Sequence, residues 1–135
     1  MIGGIVGNAN QDELDKLAIV GNELGKAFQL QDDLLDIIGN TNEFGKKIGQ
    51  DIVEGKKTYL IIRANEKAVT DAHKKLMKKF FLNCGLEDES INEMKELFIE
   101  LGIIEEVKIL INEKFDFVFS MIKDIRNNKY SDLLI

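Results

Sequence analysis

Apolar residues recur every three or four positions along almost the whole of this chain, and no proline interrupts them. That period is the one by which an α-helix presents a single face. Asn10 followed by Glu13 is a capping-box pattern, and it opens a helix expected to run to about Ile38. A further helix is expected from near Thr58, with Thr58 as its N-cap, carrying Leu60, Ile61, Ala64, Ala68, Ala72, Leu76 and Phe80 at helical spacing. Asn83 to Asp88 reads as a turn. Ser90 with Glu93 repeats the capping-box pattern and opens a helix holding Ile91, Met94, Leu97, Phe98 and Leu101, which Gly102 stops. The last helix, from about Ile103, repeats Val107, Ile111, Phe115, Val118, Ile122 and Ile125. Strand alternation and hairpin turns are absent. The expected fold is all-α, a helical bundle.

One helix carries an unusual polar face. Phe28-Gln29-Leu30-Gln31-Asp32-Asp33-Leu34-Leu35-Asp36 sets carboxylates at i, i+1 and i+4 within an apolar pattern. At about 100° per residue, Gln29, Asp32, Asp33 and Asp36 share an arc of roughly 100°. Ala27, Phe28, Leu30, Leu34, Leu35, Ile37 and Ile38 cover the rest, too broad an apolar arc for an ordinary surface helix. The acids are therefore expected to face an internal, water-accessible cavity. Like charges at i,i+4 repel, and burial raises that cost, so a cation should sit there. Oxygen ligands at this spacing suit Mg²⁺ before Ca²⁺. Taken alone, such a run is also common on solvated helix faces.

The segment that follows sharpens the reading. Gly39 is expected to end the helix in a left-handed conformation. Beyond it, Gly45-Lys46, Gly49 and Gly55-Lys56 form a glycine-lysine loop, with glycines that permit close backbone approach and lysines that suit phosphate. A diphosphate bridged to the aspartates by Mg²⁺, with its other oxygens on lysine, satisfies both elements. No Walker A pattern is present.

Together, Phe28-Gln29-x-x-Asp32-Asp33-x-x-Asp36, Gly45-Lys46-x-x-Gly49-x-Asp51 and Gly55-Lys56-x-Thr58 resemble the second aspartate-rich region of the trans-isoprenyl diphosphate synthases, the farnesyl, geranylgeranyl and longer polyprenyl diphosphate synthases. Gly3-Gly4-Ile5-Val6-Gly7-Asn8-Ala9 is also similar to that family; from Lys74 onward the likeness is only that of amphipathic helices. The resemblance implies the C-terminal part of an isoprenoid-synthase-like fold. It implies a Mg²⁺-dependent prenyltransferase of isoprenoid biosynthesis that condenses an allylic diphosphate substrate with isopentenyl diphosphate. By matched position, Asp32, Asp33 and Asp36 would hold Mg²⁺, Lys46 and Lys56 would contact the diphosphate, and Gln29 would line the cavity near the reacting carbons, all three of the latter within the catalytic constellation. Phe28 reads as core, and Lys47 and Lys57 receive no catalytic role.

Several family features are missing. No first aspartate-rich motif occurs, the only arginines are Arg63 and Arg126, and no proline follows the Gly-Lys-Thr block. Residues 1–135 are accordingly expected to be one all-α partial domain lacking the N-terminal half, inactive alone. The alternative is a non-catalytic binding or regulatory subunit that pairs with a complete synthase. The family also implies a homodimer, and apolar Leu133-Leu134-Ile135 suggests association through an exposed end.

Composition removes other classes. A net charge of −6 argues against nucleic-acid partners. No apolar run approaches the ~20 residues of a membrane span. Cys84 is the only cysteine, which excludes an internal disulfide and fits a reducing, cytoplasmic location; it sits at a turn with no partner histidine. Phe115 and Phe119, at i,i+4, are expected in the core, and His73 on the surface. Glu87-Asp88-Glu89 reads as charge at a helix N-terminus.

Overall fold

The computed structural model describes residues 3–4, 7–39 and 47–125. Gly45, Lys46, Arg126 and the apolar Leu133-Leu134-Ile135 lie outside the described residues. Asn10 caps helix α1 (Gln11–Ile38) in the way its spacing predicts. Its side-chain oxygen accepts from the Glu13 amide at 2.8 Å, and the Glu13 carboxylate accepts from the Asn10 amide at 3.0 Å. Two otherwise orphaned amides are thus satisfied reciprocally. At the other end the Gly39 amide donates to the Leu35 carbonyl at 2.7 Å. Gly39 is not left-handed, contrary to the expectation. A side chain there is excluded for another reason: its Cβ would strike the Leu35 carbonyl oxygen.

Helices α2 (Gln50–Val53), α3 (Tyr59–Lys67), α4 (Asp71–Leu82), α5 (Ile91–Glu100) and α6 (Ile103–Asp124) follow, with a 3₁₀ turn at Asp88–Ser90. No strand occurs among the described residues, so the all-α expectation holds. Thr58 caps α3 by accepting from the Ile61 amide at 3.4 Å.

Two expectations about helix ends are corrected. The single helix expected from Thr58 through Phe80 is two. Ala68 is extended, at φ −62° and ψ 119°, and the Thr70 hydroxyl accepts from the His73 amide at 3.1 Å to start α4. A hydroxyl that bonds the local backbone competes with helix continuation. Ala72, placed on the apolar face by spacing, is exposed. At Ser90 no capping bond forms; the 3₁₀ turn tightens the entry instead, the Ser90 amide donating to the Glu87 carbonyl at 2.9 Å.

The backbone divides into two compact units, residues 1–29 with 110–135, and residues 30–109. In the first, Val20 of α1 packs with Val118 and Ile122 of α6, joined by Leu24 and Met121. Lys114 donates to Glu23 at 2.9 Å beside this cluster. Phe28, expected in the core, is 52% exposed; it meets Phe115 edge-on at 5.9 Å between ring centroids. Phe115 stacks on Phe119 at 6.4 Å, yet Phe119 is 42% exposed. These rings pack on one another rather than inside the core.

In the second unit α3 packs against α4 and α5. Its fully buried residues include Phe80, Phe98, Ile52, Leu60, Ile61 and Met77. His73 is corrected from a surface position: its ring is 15% exposed, and Nε2 lies 2.9 Å from the Glu100 carboxylate. Cys84 is exposed in the turn between α4 and the 3₁₀ turn, as read.

Candidate functional site

The acidic face of α1 does not present its carboxylates equally. Asp32 is exposed, Asp36 half-buried, and Asp33 only 5% exposed. Each of the latter two fixes part of the segment that follows. The Asp36 carbonyl accepts from the Gly49 amide at 2.8 Å, and its carboxylate accepts from the Asp51 amide at 3.1 Å. The last turn of α1 therefore grips the turn that opens α2.

Lys56 reaches back to the same face. Its Nζ donates to Asp33 Oδ1 at 3.3 Å and lies 3.9 Å from Asp51 Oδ2. Its backbone amide donates to the Asp51 carbonyl at 2.9 Å. Burial works against the charged ammonium, but Asp33 and Asp51, with a smaller share from Asp36, outweigh it and raise the Lys56 pKa above its ordinary value. A neighbouring carboxylate favours the charged form, so Lys56 is a cation throughout the neutral range.

The loop bearing Lys56 is seated on the turn after α4. Gly55 has φ +72°, and a Cβ there would strike the Cys84 carbonyl oxygen. The Leu86 amide donates to the Ile52 carbonyl at 3.1 Å in the same crossing. The close backbone approach that Gly55 permits is to the protein's own chain. Two residues beyond Lys56, the Thr58 cap starts α3, so Lys56 is bracketed by fixed structure on both sides.

Of the residues expected in the site, Asp33, Asp36 and Lys56 come together, with exposed Asp32 beside Asp33 on the helix. Gln29 is exposed on α1, in the first unit. Lys46 lies outside the described residues. Lys47 pairs with Asp88 at 3.1 Å on the surface. Asp51 contributes more than its place in the motif suggested, touching both Lys56 and Asp36. Its sequence separation from them hid this, because only the reversal at Gly49 returns it to α1.

A second charged cluster was not anticipated. Arg63 Nε donates to Glu106 Oε1 at 2.7 Å and Nη1 to Glu66 at 2.6 Å. Lys67 donates to the Leu101 carbonyl at 2.6 Å and to Glu106 at 3.4 Å, and the Tyr59 hydroxyl donates to Glu106 at 3.3 Å. The cluster ties α3 to the start of α6. Arg63 is thereby occupied within the protein, consistent with its lack of phosphate context in the sequence.

Among the described residues, no three acidic, histidine or cysteine side chains converge to hold an ion. This arrangement does not suit an all-protein cage. It does suit Mg²⁺, which keeps waters and is held by one or two carboxylates together with substrate phosphates. The hard oxygens of the exposed Asp32 and the half-buried Asp36 fit that role.

The described residues thus define an all-α class of protein with an aspartate-bearing helix face answered by a lysine-bearing loop. Comparison with known proteins specifies the class. A family model for polyprenyl synthetase matches residues 1–103. The short chain isoprenyl diphosphate synthase of Methanocaldococcus jannaschii is 38% identical over 96 residues, 71% of this chain and 29% of that protein. The geranylgeranyl diphosphate synthase of Saccharolobus solfataricus is 35% identical over 134 residues, 99% of this chain and 35% of that protein. A crystal structure of geranylgeranyl pyrophosphate synthase matches at TM-score 0.77 and 31% identity, over 98% of this chain and 41% of that one. The chain belongs to the polyprenyl synthetase family. It spans about a third of the length of these curated relatives.

Proposed function

We propose that this chain carries the second Mg²⁺–diphosphate half-site of a trans-prenyltransferase, the site that receives the diphosphate of an allylic substrate condensing with isopentenyl diphosphate. The observation that supports the reading most is the pairing of Lys56 with Asp33 and Asp51 one residue from the exposed Asp32, in a chain of the polyprenyl synthetase family. Asp32, with Asp36 on the same face, holds Mg²⁺. Held by these carboxylates, Mg²⁺ would supply Lewis-acid neutralisation of the diphosphate charge. Lys56 supplies a fixed positive charge to the same oxygens as the allylic C–O bond breaks, when negative charge grows on the departing diphosphate. By their matched positions, Gln29 would line the prenyl end and Lys46 would add a second ammonium.

The half-site alone supplies no place for isopentenyl diphosphate, so the chain by itself is expected to make no product. A prenyl-transfer assay with labelled isopentenyl diphosphate and geranyl diphosphate tests this. It pairs the chain with the portion of the Saccharolobus solfataricus synthase that lacks the matching region. Product is expected only from the mixture and is lost with Asp32→Ala. Product from the chain alone, or a mixture indifferent to Asp32→Ala, contradicts the reading. A non-catalytic subunit that pairs with a complete synthase is the second reading. It predicts co-purification with a complete synthase whose turnover is indifferent to Asp32→Ala in this chain.

A further inference from the structure

We infer that Asp33 serves as a positioning residue for Lys56 and not as a metal ligand, so that the adjacent aspartates 32 and 33 divide their work. The inference rests on the diphosphate reading above and assigns roles within that site.

The two side chains leave one helix in neighbouring directions but meet different surroundings. Asp32 is exposed, whereas Asp33 is 5% exposed. An ion that retains several waters needs open space around its ligand, which Asp32 has and Asp33 lacks. Asp33 Oδ1 instead lies 3.3 Å from Lys56 Nζ, and the Lys56 side chain is about half exposed. The ammonium is therefore gripped from the protein side while its outer side faces water. Asp51 Oδ2, at 3.9 Å, holds it from a second direction. The backbone under it is fixed by the Gly55 crossing and by the Lys56 amide bond to Asp51. A lysine stem has four flexible carbons, and ordering it only on binding costs affinity. Asp33 meets that cost in the folded protein before any ligand arrives.

The sign of the effect makes the inference testable. A carboxylate near an anion site repels the anion, so removing its charge should strengthen diphosphate binding if charge were all that mattered. A positioning role predicts the opposite. Titrations of inorganic diphosphate at fixed Mg²⁺, and of Mg²⁺ at fixed diphosphate, would be run on wild type, Asp32→Asn, Asp33→Asn, Lys56→Met and the double variant Asp33→Asn/Lys56→Met.

Asp33→Asn and Lys56→Met should each weaken diphosphate by roughly three- to ten-fold, the scale of ordering one long side chain. The double variant should lose little more than either alone, and Asp33→Glu should recover part of the loss. The Mg²⁺ concentration at half-saturation should rise in Asp32→Asn and stay put in Asp33→Asn. The assignment is overturned if Asp33→Asn raises the Mg²⁺ requirement as Asp32→Asn does, if it tightens or leaves unchanged diphosphate binding, or if its loss adds fully to that of Lys56→Met. Circular dichroism checks that each variant folds. Should Asp33→Asn not fold, Asp33→Glu carries the comparison: diphosphate weakened at an unchanged Mg²⁺ requirement supports the assignment, and a raised Mg²⁺ requirement overturns it. A wild-type chain that binds no Mg²⁺–diphosphate overturns the half-site reading itself, an outcome separate from all of these.

Discussion

Glu106 shows how much a single side chain can carry outside the site. Hydrogen bonding from Arg63 holds its carboxyl below the ordinary value of 4.5, with Lys67 adding to the effect and burial opposing it. A carboxyl depressed on folding contributes stability above its unfolded value and loses that contribution as pH falls through the folded one. Wild type should therefore be more stable than Glu106→Gln at neutral pH, and the difference should shrink as pH drops below 4.5. Urea unfolding at a series of pH values checks this; a difference that grows on acidification contradicts it. The residue scale is also where the sequence was least informative. Asp32, Asp33 and Asp36 were legible as one face, but not that Asp33 would be buried under Lys56 or that Asp36 would hold the Gly49 turn. Both depend on where the chain goes after it reverses, which no helical period encodes. His73 was misplaced for the same reason: its immediate neighbours are charged, but its cover is Glu100 on another helix.

At the scale of elements, local chemistry decided most boundaries correctly. The Asn10–Glu13 box, the Thr58 cap and the Gly102 stop each act through groups within a few residues of one another, so spacing suffices to find them. The failures are equally local. Thr70 caps α4 and breaks a helix that apolar spacing alone continued, while Ser90 has the right neighbours but its side chain makes no capping bond. Thr70→Ala should thus cost about 1 kcal/mol of stability, and Ser90→Ala clearly less. Denaturant midpoints compare the two directly. Glycines separate in the same way. Gly102 has φ +69° with open space around it, whereas Gly55 has φ +72° and backbone against it. Gly102→Ala should cost about 1–2 kcal/mol for the left-handed conformation alone. Gly55→Ala should cost more than that and also weaken diphosphate binding, because Lys56 would move with its loop. Equal costs for the two would show that the Cys84 contact is unimportant.

For the whole molecule, the family model and the structural likeness reach different distances along the chain. The family model ends at residue 103, where α6 begins, yet structural likeness to geranylgeranyl pyrophosphate synthase covers 98% of the chain. Val107, Ile111, Val118 and Ile122 of α6 are buried at helical spacing. Helical spacing made an all-α fold readable throughout, while the family was read most specifically between Phe28 and Thr58. Ligand linkage gives a prediction at this scale. Mg²⁺ with diphosphate should raise the melting temperature, reaching about 2.7 kcal/mol of stabilisation at a hundredfold excess over Kd. Mg²⁺ alone should raise it little, since no three described side chains converge on an ion. The most direct test of the central claim is calorimetric titration of diphosphate with and without Mg²⁺, on wild type and on Asp32→Ala. Binding that requires Mg²⁺ and disappears in Asp32→Ala is the predicted result; binding that is absent in wild type, or that survives the substitution unchanged, contradicts it.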